Sequence, residues 1–312
     1  MVNQPVQSQG PKQRGQYRGV SGRRGIPPRI VQTTGGAFPG FANHGGPVIT
    51  SPTVYTSFWG PLWQTDQHYQ TLTGQLNQYH ADLLQSNFMN MLSQYGVGTG
   101  AGSGTFVNQP TVVSNVPTAL TLRTIQSTIQ SLIDQQFLPE PVAPGNNVLM
   151  IYLDETLGVK DPAHHLVLCE SANDNAFGFH QFFTTTAGNP CYFAIVPVLA
   201  DACLRETCSN DAHCSLHLSQ KQLDRITQVA SHEFAEMCTD PQLTGWYDLT
   251  DTDLQGHPVG ENGDICNGEA NAITVGANTW GVQKIYSKTD DLGSGGTNFC
   301  VSQSPNPLPV LQ

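Results

Sequence analysis

The run NVLMIYLD, from Asn147 to Asp154, constrains the fold of this chain more than any other segment. Its apolar residues do not alternate with polar ones, so a strand made from it must be covered on both faces, as in a parallel or mixed sheet flanked by helices. Suitable covers precede it. From Thr65 to Tyr95 apolar residues, among them Tyr69, Leu72, Leu76, Tyr79 and Leu83, recur at three- and four-residue steps and predict one helical face turned to a core. The stretch from about Thr118 to Phe137 repeats the pattern with Leu122, Ile125, Ile129, Leu132 and Ile133, and Pro139 and Pro141 end it.

Other strands read from β-branched and aromatic content: Thr53 to Trp59 closed by Gly60-Pro61, His165 to Cys169, Phe177 to Thr184, Cys191 to Pro197 and a last one at Trp280 to Ser287. Residues 96–117 read as a flexible crossing loop, because their glycines lack the strand-then-helix setting of a phosphate loop. His164, His165 and His180 read as core or edge histidines, with His180 among Phe179 and Phe182 on a strand. Ser219 caps a further helix running through Leu223, Ile226, Val229 and Phe234 to about Cys238. The fold class is therefore mixed α/β (α+β): a mixed twisted sheet, helices upon it, and an irregular C-terminal part.

Charge divides the chain unevenly. Lys12, Arg14, Arg18, Arg23, Arg24 and Arg29 are six of its 13 basic residues, and no acidic residue occurs before Asp66, which leaves seven basic against 24 acidic groups in the rest. Residues 1–42 thus form a basic, flexible arm that could contact polyanions, residues 43–302 the domain, and residues 303–312 a Pro-rich tail. No run of 18 apolar residues occurs, so no membrane span is expected, and the first ten residues lack the apolar core of a secretory signal. Eight cysteines, at 169, 191, 203, 208, 214, 238, 266 and 300, suit a disulfide-bonded protein, with Cys266 to Cys300 and a pair among Cys203, Cys208 and Cys214 as the expected bridges. His213 and His217 near the latter three leave a small zinc site open as an alternative, and Cys238 suits a buried free thiol.

Chemistry concentrates in HEFAE, His232 to Glu236. Residues four apart share a helix face, so His232 and Glu236 can close on one metal ion while Glu233, the general base, faces the reacting water. The pattern is that of a zinc-hydrolase helix whose second histidine is a glutamate. That exchange hardens the site and keeps calcium and manganese as alternatives to zinc. A third ligand is expected from the Glu261-Asn262-Gly263-Asp264 turn, through Glu261 or Asp264, with Asp240 as a nearer competitor. Without a metal the same residues would make a hydrogen-bonded helix surface against that loop.

VASHEFAEMCTDPQLTGWYDL, from Val229 to Leu249, followed by Glu261, Gly263-Asp264 and Cys266, resembles the signature of the Exordium-like, phosphate-induced protein family. His44-Gly45-Gly46-Pro47, Gly178-Phe179-His180 and Phe299-Cys300-Val301 fall in that family's order, so the likeness spans roughly residues 43–302. The resemblance implies a secreted or cell-wall protein, and the helix resembles that of zincin metallopeptidases, which implies a zincin-like domain. The basic arm, the missing signal and Cys238 depart from the plant pattern. Three functions follow. The first is a metal-dependent hydrolase, a peptidase or amidase acting on a peptide or cell-surface polymer. The second is a non-catalytic extracellular protein that keeps the scaffold and uses Trp246, Tyr247 and the acidic loop to bind glycan or protein. The third is a polyanion binder acting through its arm.

Overall fold

The computed structural model describes residues 36–142, 145–161, 166–168, 175–198, 222–250 and 260–311. In chain order the first half comprises β1 (Phe41–Asn43), β2 (Thr53–Trp59), α1 (Leu62–Thr65), α2 (Gln67–Gln85), α3 (Asn87–Leu92), β3 (Thr105–Phe106), β4 (Thr111–Val113), β5 (Ala119–Leu120) and α4 (Leu122–Asp134). Then come β6 (Asn147–Leu153), β7 (Gly158–Asp161), β8 (Leu166–Leu168), β9 (Asn175–Ala176), β10 (Phe179–Thr184), β11 (Pro190–Pro197) and α5 (Gln222–Thr239). The C-terminal part holds β12 (Trp246–Asp248), the hairpin β13 (Ala270–Val275) and β14 (Asn278–Gln283), β15 (Ile285–Tyr286), α6 (Lys288–Ser294) and β16 (Cys300–Val301).

A six-stranded mixed sheet runs β10-β11-β6-β2-β3, with β4 also on β2. β2, β6 and β11 are parallel, and β10 turns back antiparallel along the outer edge of β11. β6 is the continuous apolar run NVLMIYL, and its side chains divide between two cores. Val148, Met150 and Tyr152 join the core under α2, α3 and α5, whereas Leu149, Ile151 and Leu153 join a second one under α4. A strand that is apolar on every residue is thereby satisfied on both faces. A small sheet of β5, β7, β8 and β9 borders the second core. Among the described residues no helix is long and apolar enough to cross a membrane.

Several boundaries differ from the sequence reading for local reasons. The helical stripe from Thr65 to Tyr95 is not one helix: Asp66 caps α2 by accepting from the His68 and Tyr69 amides, and Ser86, in extended backbone, stops it and caps α3 through the Phe88 amide. The 96–117 loop contributes β3 and β4, which pair parallel to the two ends of β2. The described end of the arm, residues 36–42, docks on the domain. Phe41 is fully buried, β1 pairs with β12, and the Asp291 carboxylate accepts from the Ala37 and Phe38 amides. The Pro-rich tail is also held, because the Ser304, Leu308 and Leu311 amides donate to the carbonyls of Asn87, Asn90 and Gln94 along α3 and the turn that follows it. The three carbonyls are spaced three and four residues apart, so they lie along one side of this short helical segment. The basic residues of the arm, Ser219, His164, His165, Cys169 and the Cys203 to His217 segment lie outside the described residues.

Candidate metal centre

α5 is buried on every side from Arg225 to Thr239, an unusual setting for a helix that carries a histidine and two glutamates. It lies against β10, β11 and β14. The hairpin grips it through polar contacts: Thr227 Oγ1 donates to the Gly281 carbonyl at 2.7 Å, and the Gln283 amide donates to Ser231 Oγ at 2.9 Å. At the helix end Thr239 Oγ1 accepts from Asn262 Nδ2 at 3.1 Å, which draws the acidic turn across the HEFAE face. Gln283 Nε2 donates to the Gly263 carbonyl and the Tyr286 amide to the Asn262 carbonyl, so both sides of the turn are fastened.

Cys266, two residues past Asp264, is disulfide-bonded to Cys300, with Cα atoms 5.6 Å apart. Cys238 is a buried free thiol on α5. Burial alone pushes its titration above the ordinary thiol range.

The turn and the helix meet at the HEFAE face. His232 Nε2 lies 3.0 Å from Glu236 Oε1 and 3.8 Å from Asp264 Oδ1. Glu236 Oε1 accepts from the Asp264 amide at 3.0 Å. On the other side stands His180 of β10, a ligand candidate rather than the core or edge histidine that the sequence suggests. Its Nδ1 is 3.5 Å from Glu233 Oε2 and 3.5 Å from Glu236 Oε2, and its Nε2 is 3.7 Å from Glu261 Oε1. The structure thus brings His232, Glu233, Glu236, Glu261 and Asp264 together and adds His180. Asp240 is turned to other work, accepting from the Gly245 amide at 2.5 Å.

Two close approaches make the cluster possible. A Cβ on Gly263 would stand 2.7 Å from Glu236 Oε1 and 2.8 Å from His232 Nδ1. One on Gly178 would stand 2.9 Å from Glu233 Oε1 and 2.7 Å from Val229 Cγ1. Gly263 has an ordinary right-handed backbone, so Gly263→Ala adds a methyl group without backbone strain. The variant is expected to lose about 1–3 kcal/mol by overpacking. It is also expected to weaken metal binding, and a thermal melt with a zinc titration checks both.

The electrostatics are those of a mutually dependent set. Burial would lower the pKa of His232, but the carboxylates of Glu236, Glu233 and Asp264 outweigh it and raise it to about 9. His180 is likewise held well above its ordinary value, burial being overcome by Glu261, Glu233 and Glu236. Burial would raise Glu236, yet His232 and His180 draw it down to about 2. In Glu233 burial prevails over both histidines and the carboxyl is raised.

The residues present fit a metal ion. Both ring nitrogens of His180 and of His232 are buried and make no hydrogen bond, and the 3.0 Å contact of His232 with Glu236 lacks hydrogen-bond geometry. Two ligands of one tetrahedral zinc, with bonds of about 2.0–2.1 Å, sit roughly 3.3 Å apart, close to that separation. His180, Glu236 and Glu261 form one group able to hold an ion, and His232, Glu233 and Glu236 form another.

Trp246 and Tyr247 are packing anchors: both are buried, Trp246 stacked on Phe41 and Tyr247 on His44. A small apolar pocket lined by Ile129, Ile133, Leu149 and Cys191 belongs to the second core and holds none of the cluster residues. No protein-family model, curated protein or solved structure matches this chain.

Proposed function

We propose that this chain is a zinc-dependent hydrolase of peptide or amide bonds, built on a zincin-like helix and acting outside the cell or at its surface. The observation that carries this reading is the buried, non-hydrogen-bonded approach of His232 Nε2 to Glu236 Oε1, with Glu233 one residue along the helix and the Glu261 to Asp264 turn closing over them. Imidazole nitrogens beside carboxylates favour zinc over calcium, with manganese as the alternative. When bound, the ion supplies Lewis acidity toward a carbonyl and lowers the pKa of water. His232, Glu236 and Asp264 hold and orient it, and Glu233 takes the proton from the attacking water. The Cys266 to Cys300 bond is of a kind that persists in oxidising surroundings and supports the extracellular placement. The Exordium-like pattern rests on the sequence motifs alone and points the same way.

Glu233→Gln tests the catalytic step. The variant is expected to keep its metal and to lose peptide-library cleavage by about 10²–10⁴-fold, the usual contribution of a positioned base. One observation favours a second reading, a non-catalytic protein with a structural metal. Glu233 is 0 % exposed, whereas a base acting on a polymer must meet solvent and substrate. Metal content without cleavage in the unmodified protein would select that reading.

A further inference from the structure

The two oxygens of Glu236 face different histidines. Oε1 lies against His232 Nε2 and the Asp264 amide, and Oε2 against His180 Nδ1. Glu236 is also the one residue common to both groups able to hold an ion. We propose that the cluster is a dinuclear centre in which Glu236 bridges two divalent transition-metal ions, with His232 and Asp264 on one side and His180 and Glu261 on the other. The inference deepens the hydrolase reading and rests on its metal site.

Three observations support it. Neither group able to hold an ion contains both imidazoles. Ligands to one tetrahedral ion converge on one point, yet His180 reaches the group from the sheet edge through the second oxygen of Glu236, and His232 reaches it from the helix through the first. Each ring is wholly buried, and none of the four nitrogens makes a hydrogen bond. Formal charge agrees. Glu233, Glu236, Glu261 and Asp264 bring four carboxylates into a volume whose side chains are 0–6 % exposed. Two divalent ions balance four carboxylates, where one ion beside neutral imidazoles leaves two negative charges in a medium that penalises them heavily. Carboxylate-bridged pairs with ions about 3.5–4 Å apart are an established arrangement for activating water and clamping the oxygens of a reacting group. Glu233 lies 3.5 Å from His180 Nδ1 and so belongs to the same cluster.

The test uses the full-length protein, stripped of metal and titrated with zinc by calorimetry and elemental analysis, and separately loaded with manganese for electron paramagnetic resonance. Unmodified protein is expected to take up two equivalents of zinc and, with manganese, to give an exchange-coupled signal. His180→Ala and His180→Gln should take up one equivalent and give an uncoupled signal. One equivalent in the unmodified protein with an uncoupled signal would overturn the second ion and leave the single-ion hydrolase standing. Two equivalents retained in both variants would overturn the assignment of His180, and no uptake would overturn both readings. The manganese signal of the unmodified protein decides the matter even if neither variant folds.

Discussion

His232→Ala is expected to weaken zinc binding by more than about 100-fold, beyond what loss of a supporting residue around a metal costs. The ring is fully buried beneath the Gly263 turn, where a Cβ on Gly263 would stand 2.8 Å from its Nδ1. A titration should also show a steep pH dependence. His232 holds its proton up to about pH 9 in the metal-free protein, and an ion must displace that proton, so apparent affinity should climb as pH rises toward 9. Metal-free stability should move the opposite way. A histidine raised from 6.5 to about 9 contributes stability that is complete below 6.5 and is lost as pH rises through 9. Glu233, also raised, acts in the same direction above its ordinary range. Glu236, lowered from 4.5 to about 2, contributes stability that is present above 4.5 and is lost as pH falls through 2. Metal-free protein should therefore melt at progressively lower temperature between pH 6.5 and 9, and saturating zinc should reverse that trend. Melting curves across this range, with and without zinc, measure both slopes.

Breaking the Cys266 to Cys300 bridge is the second large effect. The bond closes a segment with a sequence separation of 34, and restricting a loop of that length in the unfolded chain is worth about 3–4 kcal/mol. A double Cys266→Ser, Cys300→Ser variant is expected to melt roughly 6–12 °C lower. The bridge also holds the site. Cys266 ends the turn that carries Glu261 and Asp264, and the Cys266 amide donates to the Gly263 carbonyl. Zinc affinity should fall with stability, whereas an equally destabilising change in the second core, such as Ile129→Ala, should leave affinity unchanged. Calorimetry on the two variants below their melting temperatures separates a local from a global effect.

Much of the framework was legible in the chain. β6 announced a two-faced core because all its residues from Val148 to Leu153 are apolar, and α2 and α4 announced themselves by periodicity, although their caps, Asp66 and Thr121, were not read from the sequence. Elements that depend on the rest of the fold were not. β3 and β4 are two- and three-residue pieces, too short to show a period, within a Gly-containing segment, and they become strands by pairing parallel to β2. The Pro-rich tail has no periodicity and docks through its amides on the carbonyls of Asn87, Asn90 and Gln94.

At the metal centre the division is similar. HEFAE places His232, Glu233 and Glu236 by helix geometry alone, and the Gly-containing acidic turn could be guessed as their partner. His180 could not, since its alternation with Phe179 and Phe182 is what a core strand shows, and its approach to Glu236 depends on β10 folding back beside β11. The available signal was Gly178, whose missing Cβ lets the start of that strand come close to Glu233 and Val229.

Metal content of the purified full-length protein, combined with melting before and after a chelator, tests the central claim most directly. Stoichiometric zinc or manganese should be present, and its removal should lower stability by about 4 kcal/mol where free metal had exceeded the dissociation constant by about 1,000-fold. Protein that carries no metal at neutral pH and melts identically with and without chelator would contradict it.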